Sequence, residues 1–140
     1  MAWKRIIFLF FLLSFNAEAQ EFKLKEIISL NEPWGSTFLN KDEILITEKS
    51  GKIKLYNLND KNIALINHNL NVLEYGQGGL LDIIFKDDFV WVSYTERIEN
   101  FKSSTSIAKG KYNKGKIIFE NIFQASPPID SPYHFGSRLA

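Results

Sequence analysis

The sequence predicts an all-β fold of short antiparallel strands, as found in sandwiches, barrels and propeller blades. Apolar and polar residues alternate over short stretches, which is typical of half-buried strands. Clusters of Gly, Asn, Asp, Ser and Lys separate these stretches at intervals of about ten residues, as expected for turns. No stretch has a convincing amphipathic helical period. Together these observations favour a sandwich, a barrel or propeller blades over a helical or mixed fold.

The first predicted strands lie between residues 43 and 66. Residues 43–48 (EILITE) form a β-rich run, and residues 52–56 (KIKLY) alternate polar and apolar side chains. Because the KSG sequence at 49–51 has turn-forming residues, the two runs predict a hairpin. Polar residues 57–62 predict a second turn, after which residues 63–66 (IALI) predict another strand.

The pattern then recurs in the second half of the chain. Residues 80–85 (LLDIIF) and 89–94 (FVWVSY) predict two strands around a turn at 86–88. Polar residues 96–104 predict a loop. Residues 106–112 and 116–119 then predict a hairpin joined by Asn-Lys-Gly.

Chain length limits how much of a propeller this sequence can form. A blade takes roughly 40–50 residues and four strands, so the chain holds two to three blades. Since each blade buries its faces against its neighbours, so few blades cannot close a propeller. We therefore expect either a small sandwich or the first part of a larger propeller. The RLA sequence at 138–140 resembles the start of a further strand and favours the latter.

The N-terminal residues predict a signal peptide. Lys4 and Arg5 precede an apolar run at residues 6–15, which is too short to span a bilayer. Ala-Glu-Ala at 17–19 fits a cleavage site. We expect residues 1–19 to be removed, leaving residues 20–140 in the periplasm or outside the cell with no membrane segment. The alternative is an uncleaved anchor.

Composition excludes several classes of protein. Basic and acidic residues are equal in number after residue 19, and no basic stripe is present, so nucleic acid is not an expected partner. The chain has no cysteine, so an exported form cannot be stabilised by disulfides. A hydrophobic content of 45% argues against disorder.

Five sequence motifs occur in an order that points to a known family. They are EPWGSTF (32–38), EILITEKSGKI (43–53), GQGGLLD (76–82), VWVSYT (90–95) and HFGSRL (134–139). This series resembles the N-terminal part of the soluble quinoprotein sugar dehydrogenases, the glucose/sorbosone dehydrogenase family. The resemblance covers about residues 30–139.

The resemblance implies a six-bladed β-propeller, of which this chain covers the first two to three blades. It further implies pyrroloquinoline quinone (PQQ) and calcium as cofactors, an external electron acceptor, and oxidation of an aldose sugar to a lactone. By the same resemblance, His134 is the general base and Gln77 binds the sugar. The residues that contact PQQ and calcium are expected after Ala140, so this chain alone is expected to be inactive.

Residue chemistry is consistent with these implied roles. A neutral imidazole can take the proton of a hydroxyl group as hydride leaves the same carbon. A glutamine amide can both donate hydrogen bonds to a sugar hydroxyl and accept them from it.

Tyr133 stands where classical glucose dehydrogenases have aspartate, and FKDDF at 85–89 replaces a His-Pro-Asp-Phe motif. These departures favour the broader aldose dehydrogenase branch.

Other readings of the sequence remain open. A non-catalytic exported propeller that binds a partner or glycan is the main alternative, because propellers host many functions. A hydrolytic calcium propeller is a third. The sequence contains neither Gly-x-Ser-x-Gly nor His-Glu-x-x-His. A strand rather than a helix is expected after the Gly-x-Gly at 76–78, so a dinucleotide-binding turn is not predicted.

The sequence also predicts the structural positions of five further residues. We expect His68 to be a solvated loop residue, and Trp34 and Trp91 to lie in the core. We expect Glu48 and Asp82 to be buried polar anchors between blades.

Overall fold

The structure is a computed structural model that describes residues 22–99 and 102–140. The predicted signal peptide, residues 1–19, lies outside the described residues. Every regular element in the described ranges is a strand, which confirms the all-β prediction. Within those ranges, no helix is long and apolar enough to cross a membrane.

Eight strands form two antiparallel meanders. The first meander contains β1 (Pro33–Phe38), β2 (Glu43–Glu48), β3 (Lys52–Asn57) and β4 (Ile63–His68). The second contains β5 (Leu80–Lys86), β6 (Phe89–Arg97), β7 (Ser103–Asn113) and β8 (Lys116–Gln124). The last strands of the two meanders meet in a short parallel pairing, in which Asn67 lies opposite Lys116 and His68 opposite Ile117.

The two meanders share one hydrophobic core. Side chains alternate along each strand, so Leu45 and Ile53 of the first meander point towards Val90 and Val92 of the second, and all four are fully buried. Trp91 lies between the two valines and therefore points away from this core. Large apolar side chains buried in this way are the main stabilising contribution to such a fold.

Strands β1 and β5 approach each other closely. Gly35 of β1 has so little space that an added Cβ would lie 3.0 Å from the Ile83 amide nitrogen of β5. The buried hydroxyl of Thr47 accepts a hydrogen bond from the Gly35 amide (2.9 Å) and donates one to the Leu81 carbonyl (2.6 Å). These contacts fix the spacing of the two meanders where β5 begins.

Two tight turns set the strand register of the second meander. Asp87 and Asp88 join β5 to β6 with φ values of 53° and 64°. Lys114 and Gly115 join β7 to β8 with φ values of 45° and 83°. Two consecutive residues at positive φ match the right-handed twist of a hairpin. Both turns were predicted from the sequence, and both are confirmed.

Three strand predictions need correction. Strand β1 was not predicted, because Pro, Gly and Ser interrupt its apolar pattern. The predicted loop at 96–104 is shorter, since β6 and β7 continue their ladder until Arg97 lies opposite Ser103. Residues 138–140 belong to no strand; the Leu139 amide donates to the Asp82 carboxylate instead (2.8 Å).

Neither Trp34 nor Trp91 belongs to the core, so that prediction is wrong. The Trp34 side chain is 48% exposed at the start of β1. Trp91 is half-buried on the outward face of β6, with the Lys109 ammonium 5.7 Å from its ring centroid. Trp91 faces outwards because side chains alternate along a strand. Its neighbours Val90 and Val92 take the inward positions.

Glu48 is fully buried, as predicted, but it does not connect the two meanders. Its Oε1 accepts hydrogen bonds from the Lys54 ammonium (2.6 Å) and the Asn31 amide (2.7 Å). Burial raises the pKa of the Glu48 carboxyl, while these two hydrogen bonds and the charges of Lys54 and Lys52 lower it. The net effect is a pKa below the ordinary value.

Candidate functional site

A glycine-rich loop at residues 76–79 leads into β5. Gly76 has a φ of 57°, and an added Cβ there would overlap Pro132. An added Cβ at Gly78 would lie 2.7 Å from the Thr95 hydroxyl and 3.1 Å from the Phe135 ring. Because the glycines have no side chains, the segment 131–135 lies directly against this loop.

The two site residues predicted from the sequence meet at this contact. The Gln77 amide donates a hydrogen bond to the Pro132 carbonyl (2.8 Å). The His134 amide in turn donates one to the Gln77 Oε1 (3.0 Å), although the two residues are 57 positions apart. The structure therefore brings Gln77 and His134 together, while their chemical roles stay predictions.

Both side chains are exposed on the same end of the two meanders. His134 has a φ of 68°, an uncommon conformation for a residue with a side chain. The Tyr133 ring lies 6.2 Å from the imidazole, centroid to centroid. Since the Gln77 Oε1 accepts the His134 amide, the N–H groups of the Gln77 side-chain amide remain as donors for a bound molecule.

Two further residues hold the segment that carries His134. The Asp82 carboxylate accepts the Leu139 amide through Oδ2 (2.8 Å) and the Ile83 amide through Oδ1 (3.0 Å). The Ser93 hydroxyl donates to the Ser137 carbonyl and accepts the Asp82 amide (3.1 Å). Asp82 is half-buried and anchors the C-terminal segment, whereas a buried anchor between blades was predicted. Sequence reasoning assigned no role to Ser93, although it lies within the VWVSYT motif at residues 90–95.

An open cleft lies beside this segment. It has a volume of about 460 Å³ and is lined by Leu73, Glu74, Tyr75, Arg97 and Asp130. Tyr75 precedes the glycine-rich loop, and Asp130 precedes the segment that carries His134. The cleft combines an aromatic ring with charged groups of both signs, so it can form apolar contacts and hydrogen bonds with a small polar molecule.

His68 is not a solvated loop residue, contrary to the prediction. It ends β4 and is half-buried beside the Phe119 ring, at 6.3 Å between centroids. Its Nδ1 accepts the Leu70 amide (3.2 Å), so Nε2 carries the hydrogen and donates to the Gly51 carbonyl (2.7 Å). Burial lowers the pKa of His68 below its ordinary value, and the Gly51 hydrogen bond opposes this shift. His68 is therefore a neutral structural residue.

Glu96 is engaged in a polar network on the second meander. Its Oε2 accepts hydrogen bonds from Ser106 (2.7 Å), Asn121 (2.7 Å) and Gln124 (2.8 Å). Burial raises the pKa of the neighbouring Tyr94 hydroxyl, and the Glu96 charge raises it further. A carboxylate with three donors on one oxygen is better suited to holding strands together than to proton transfer.

Two four-stranded meanders that share a core occur in β-sandwiches and as neighbouring blades of a β-propeller. The site they carry is an exposed histidine and an exposed glutamine at one end of the blades. The sequence model of the family described as Glucose / Sorbosone dehydrogenase matches residues 30–140, and the chain belongs to this family. The family assignment and the propeller fold expected from the sequence are both confirmed.

Known relatives agree with this assignment. The chain is 30% identical over 119 residues to the aldose sugar dehydrogenase YliI of Escherichia coli, covering 79% of this chain and 32% of the relative. The soluble aldose sugar dehydrogenase of Escherichia coli in its apo form superposes with a TM-score of 0.72 at 29% identity, covering 79% of this chain and 35% of that one. The PQQ-bound aldose sugar dehydrogenase of Streptomyces coelicolor shares the fold, with a TM-score of 0.66 at 21% identity, covering 79% and 34%. The chain thus spans about a third of the length of these relatives.

Proposed function

We propose that this chain forms the first two blades of a quinone-dependent aldose dehydrogenase that oxidises a sugar to a lactone. The observation that carries the proposal is the hydrogen bond from the His134 amide to the Gln77 Oε1. It places the two residues with implied roles at one exposed site. The names of the Escherichia coli relative and of the PQQ-bound Streptomyces coelicolor structure support a sugar substrate and this cofactor.

His134 is the proposed general base. Its exposed imidazole takes the proton of the anomeric hydroxyl, while the hydrogen on the same carbon leaves as hydride. Carbon and oxygen thereby form the carbonyl of the lactone, and the imidazole becomes imidazolium. PQQ supplies the two-electron acceptor when bound, and an external acceptor later removes those electrons.

Gln77 is the proposed sugar-binding residue. Because its Oε1 accepts the His134 amide, its contribution to the sugar is donation from the amide nitrogen to a hydroxyl oxygen. The same hydrogen bond fixes the position of the amide relative to the base. Orientation of the reacting groups is a large part of what such a site contributes to rate.

The proposal assigns no described residue to the binding of PQQ or calcium. The exposed imidazole and amide leave this face accessible to a flat quinone and a sugar. In the described ranges, no group of three or more His, Cys, Asp or Glu side chains could hold a metal ion. We therefore assign no calcium ligand to the described residues. We also assign no PQQ contact to them. Cleavage after residue 19 and a periplasmic or secreted location complete the proposal.

Replacement of His134 with Ala tests the proposal in the full-length protein. Loss of a general base should lower kcat by a factor on the order of 10²–10⁴ while PQQ still binds. Sugar-dependent dye reduction gives kcat, and the absorbance change on titration with PQQ gives cofactor binding.

His68→Gln is the matched control. Because His68 has a structural role, this variant should keep kcat close to wild type. Wild-type turnover by His134→Ala would rule out the assigned base. Sugar binding without PQQ-dependent oxidation would favour a non-catalytic binding module.

A further inference from the structure

We propose that Asp82 and Ser93 are positioning residues that hold the His134 imidazole in place from the C-terminal side of its segment. The inference rests on the proposed role of His134 as base. It assigns a function to two strand residues of the second blade that lie within the GQGGLLD and VWVSYT motifs but were given no functional role in the sequence analysis.

The segment 132–139 has no strand of its own, so its position depends on other hydrogen bonds. On the N-terminal side, Gln77 accepts the His134 amide and donates to the Pro132 carbonyl. On the C-terminal side, the Ser93 hydroxyl donates to the Ser137 carbonyl, and the Asp82 carboxylate accepts the Leu139 amide (2.8 Å). His134 is thus held from both directions.

Asp82 and Ser93 act as one unit. The Asp82 amide donates to the Ser93 hydroxyl (3.1 Å), which leaves the hydroxyl hydrogen for the Ser137 carbonyl. Ser93 is only 2% exposed, so its hydroxyl has little competition from water. A hydrogen bond to an ionised carboxylate is also stronger than one between neutral groups. These features make the C-terminal attachment rigid.

The conformation of His134 explains why attachment on both sides matters. A φ of 68° is unfavourable for a residue with a side chain and persists only where the surroundings impose it. Release of the Leu139 and Ser137 contacts would let His134 relax to a negative φ and carry its imidazole away from the site. A displacement of about 1 Å in a catalytic group can cost on the order of 100-fold in rate.

Asp82→Asn tests this inference in the full-length protein. Asparagine keeps the size of the side chain but has one acceptor oxygen for the Leu139 and Ile83 amides. We expect kcat to fall on the order of 10²-fold with KM close to wild type. Asp88→Asn is the matched control, because it removes the same charge in the exposed turn of the same hairpin. Ser93→Ala serves as a second variant if Asp82→Asn does not fold.

A double-mutant cycle separates positioning from a general structural role. If Asp82 acts through His134, Asp82→Asn should cause no further loss of activity in a His134→Ala background. Hydrogen exchange measured by mass spectrometry should also be faster in peptides covering residues 133–139 of Asp82→Asn, and unchanged in Asp88→Asn.

The outcomes distinguish the two proposals. Normal kcat or unchanged exchange in Asp82→Asn, with an impaired His134→Ala, would overturn this inference alone. An equal loss from Asp82→Asn with and without His134 would also overturn it, because the role would then be structural. Normal turnover by His134→Ala would overturn the proposed base and this inference with it.

Discussion

Gly76→Ala perturbs the contact on which the site depends. Gly76 precedes Gln77, has a φ of 57°, and would place an added Cβ against Pro132. The left-handed conformation costs a residue with a side chain about 1–2 kcal/mol. Overpacking against a fixed neighbour adds about 1–3 kcal/mol. We therefore expect the free energy of unfolding to fall by about 2–5 kcal/mol.

Two other glycines separate these contributions. Gly115 has a φ of 83° and no atom within 4 Å of an added Cβ, so Gly115→Ala should show only the backbone cost of about 1–2 kcal/mol. Gly136 also has no atom within 4 Å, and its φ is not in the left-handed region. Gly136→Ala should therefore change stability by no more than about 0.5 kcal/mol.

Urea unfolding of the full-length protein, followed by tryptophan fluorescence, would measure all three variants. We predict the order Gly76→Ala, Gly115→Ala, Gly136→Ala from most to least destabilised. Equal destabilisation by Gly76→Ala and Gly115→Ala would show that the loop does not lie against Pro132. The geometry described for Gln77 and His134 would then be wrong.

Two further predictions concern buried polar groups. Lys54→Met leaves the buried Glu48 carboxylate with the Asn31 amide as its one described donor, and should cost about 3 kcal/mol in urea unfolding, whereas Lys52→Met should cost far less. A cost for Lys54→Met no larger than for Lys52→Met would contradict this role of the pair. The lowered pKa of His68 means that its stabilising contribution is complete above its ordinary value of 6.5 and is lost as pH falls through the folded-state value. Stability should thus fall more steeply in wild type than in His68→Gln as pH drops below about 6.5, and equal slopes would refute this linkage.

Regular alternation made most of the fold predictable from the sequence. Residues 52–56 indicated β3 because polar and apolar side chains alternate and turn residues precede them. Strand β1 gave no such signal, since its Gly35 is required by the close approach to Ile83, a contact between distant parts of the chain. A local sequence pattern does not show which distant residues will come into contact.

The candidate site was predictable only through the resemblance to a family. Nothing local to Gln77 or His134 indicates that they meet, since the hydrogen bond between them spans 57 residues. The roles of Asp82 and Ser93 were less accessible still, because both bind backbone atoms, which carry no sequence signature. His68 was misassigned because polar neighbours suggested a loop, while the Phe119 ring and the Gly51 carbonyl cover it.

The most direct test of the account is sugar-dependent dye reduction by the full-length protein, with and without added PQQ, for wild type and His134→Ala side by side. The account predicts oxidation of aldoses by wild type only when PQQ is present, and a fall on the order of 10²–10⁴ in kcat for the variant with PQQ still bound. Oxidation without PQQ, or equal turnover by the two proteins, would contradict it.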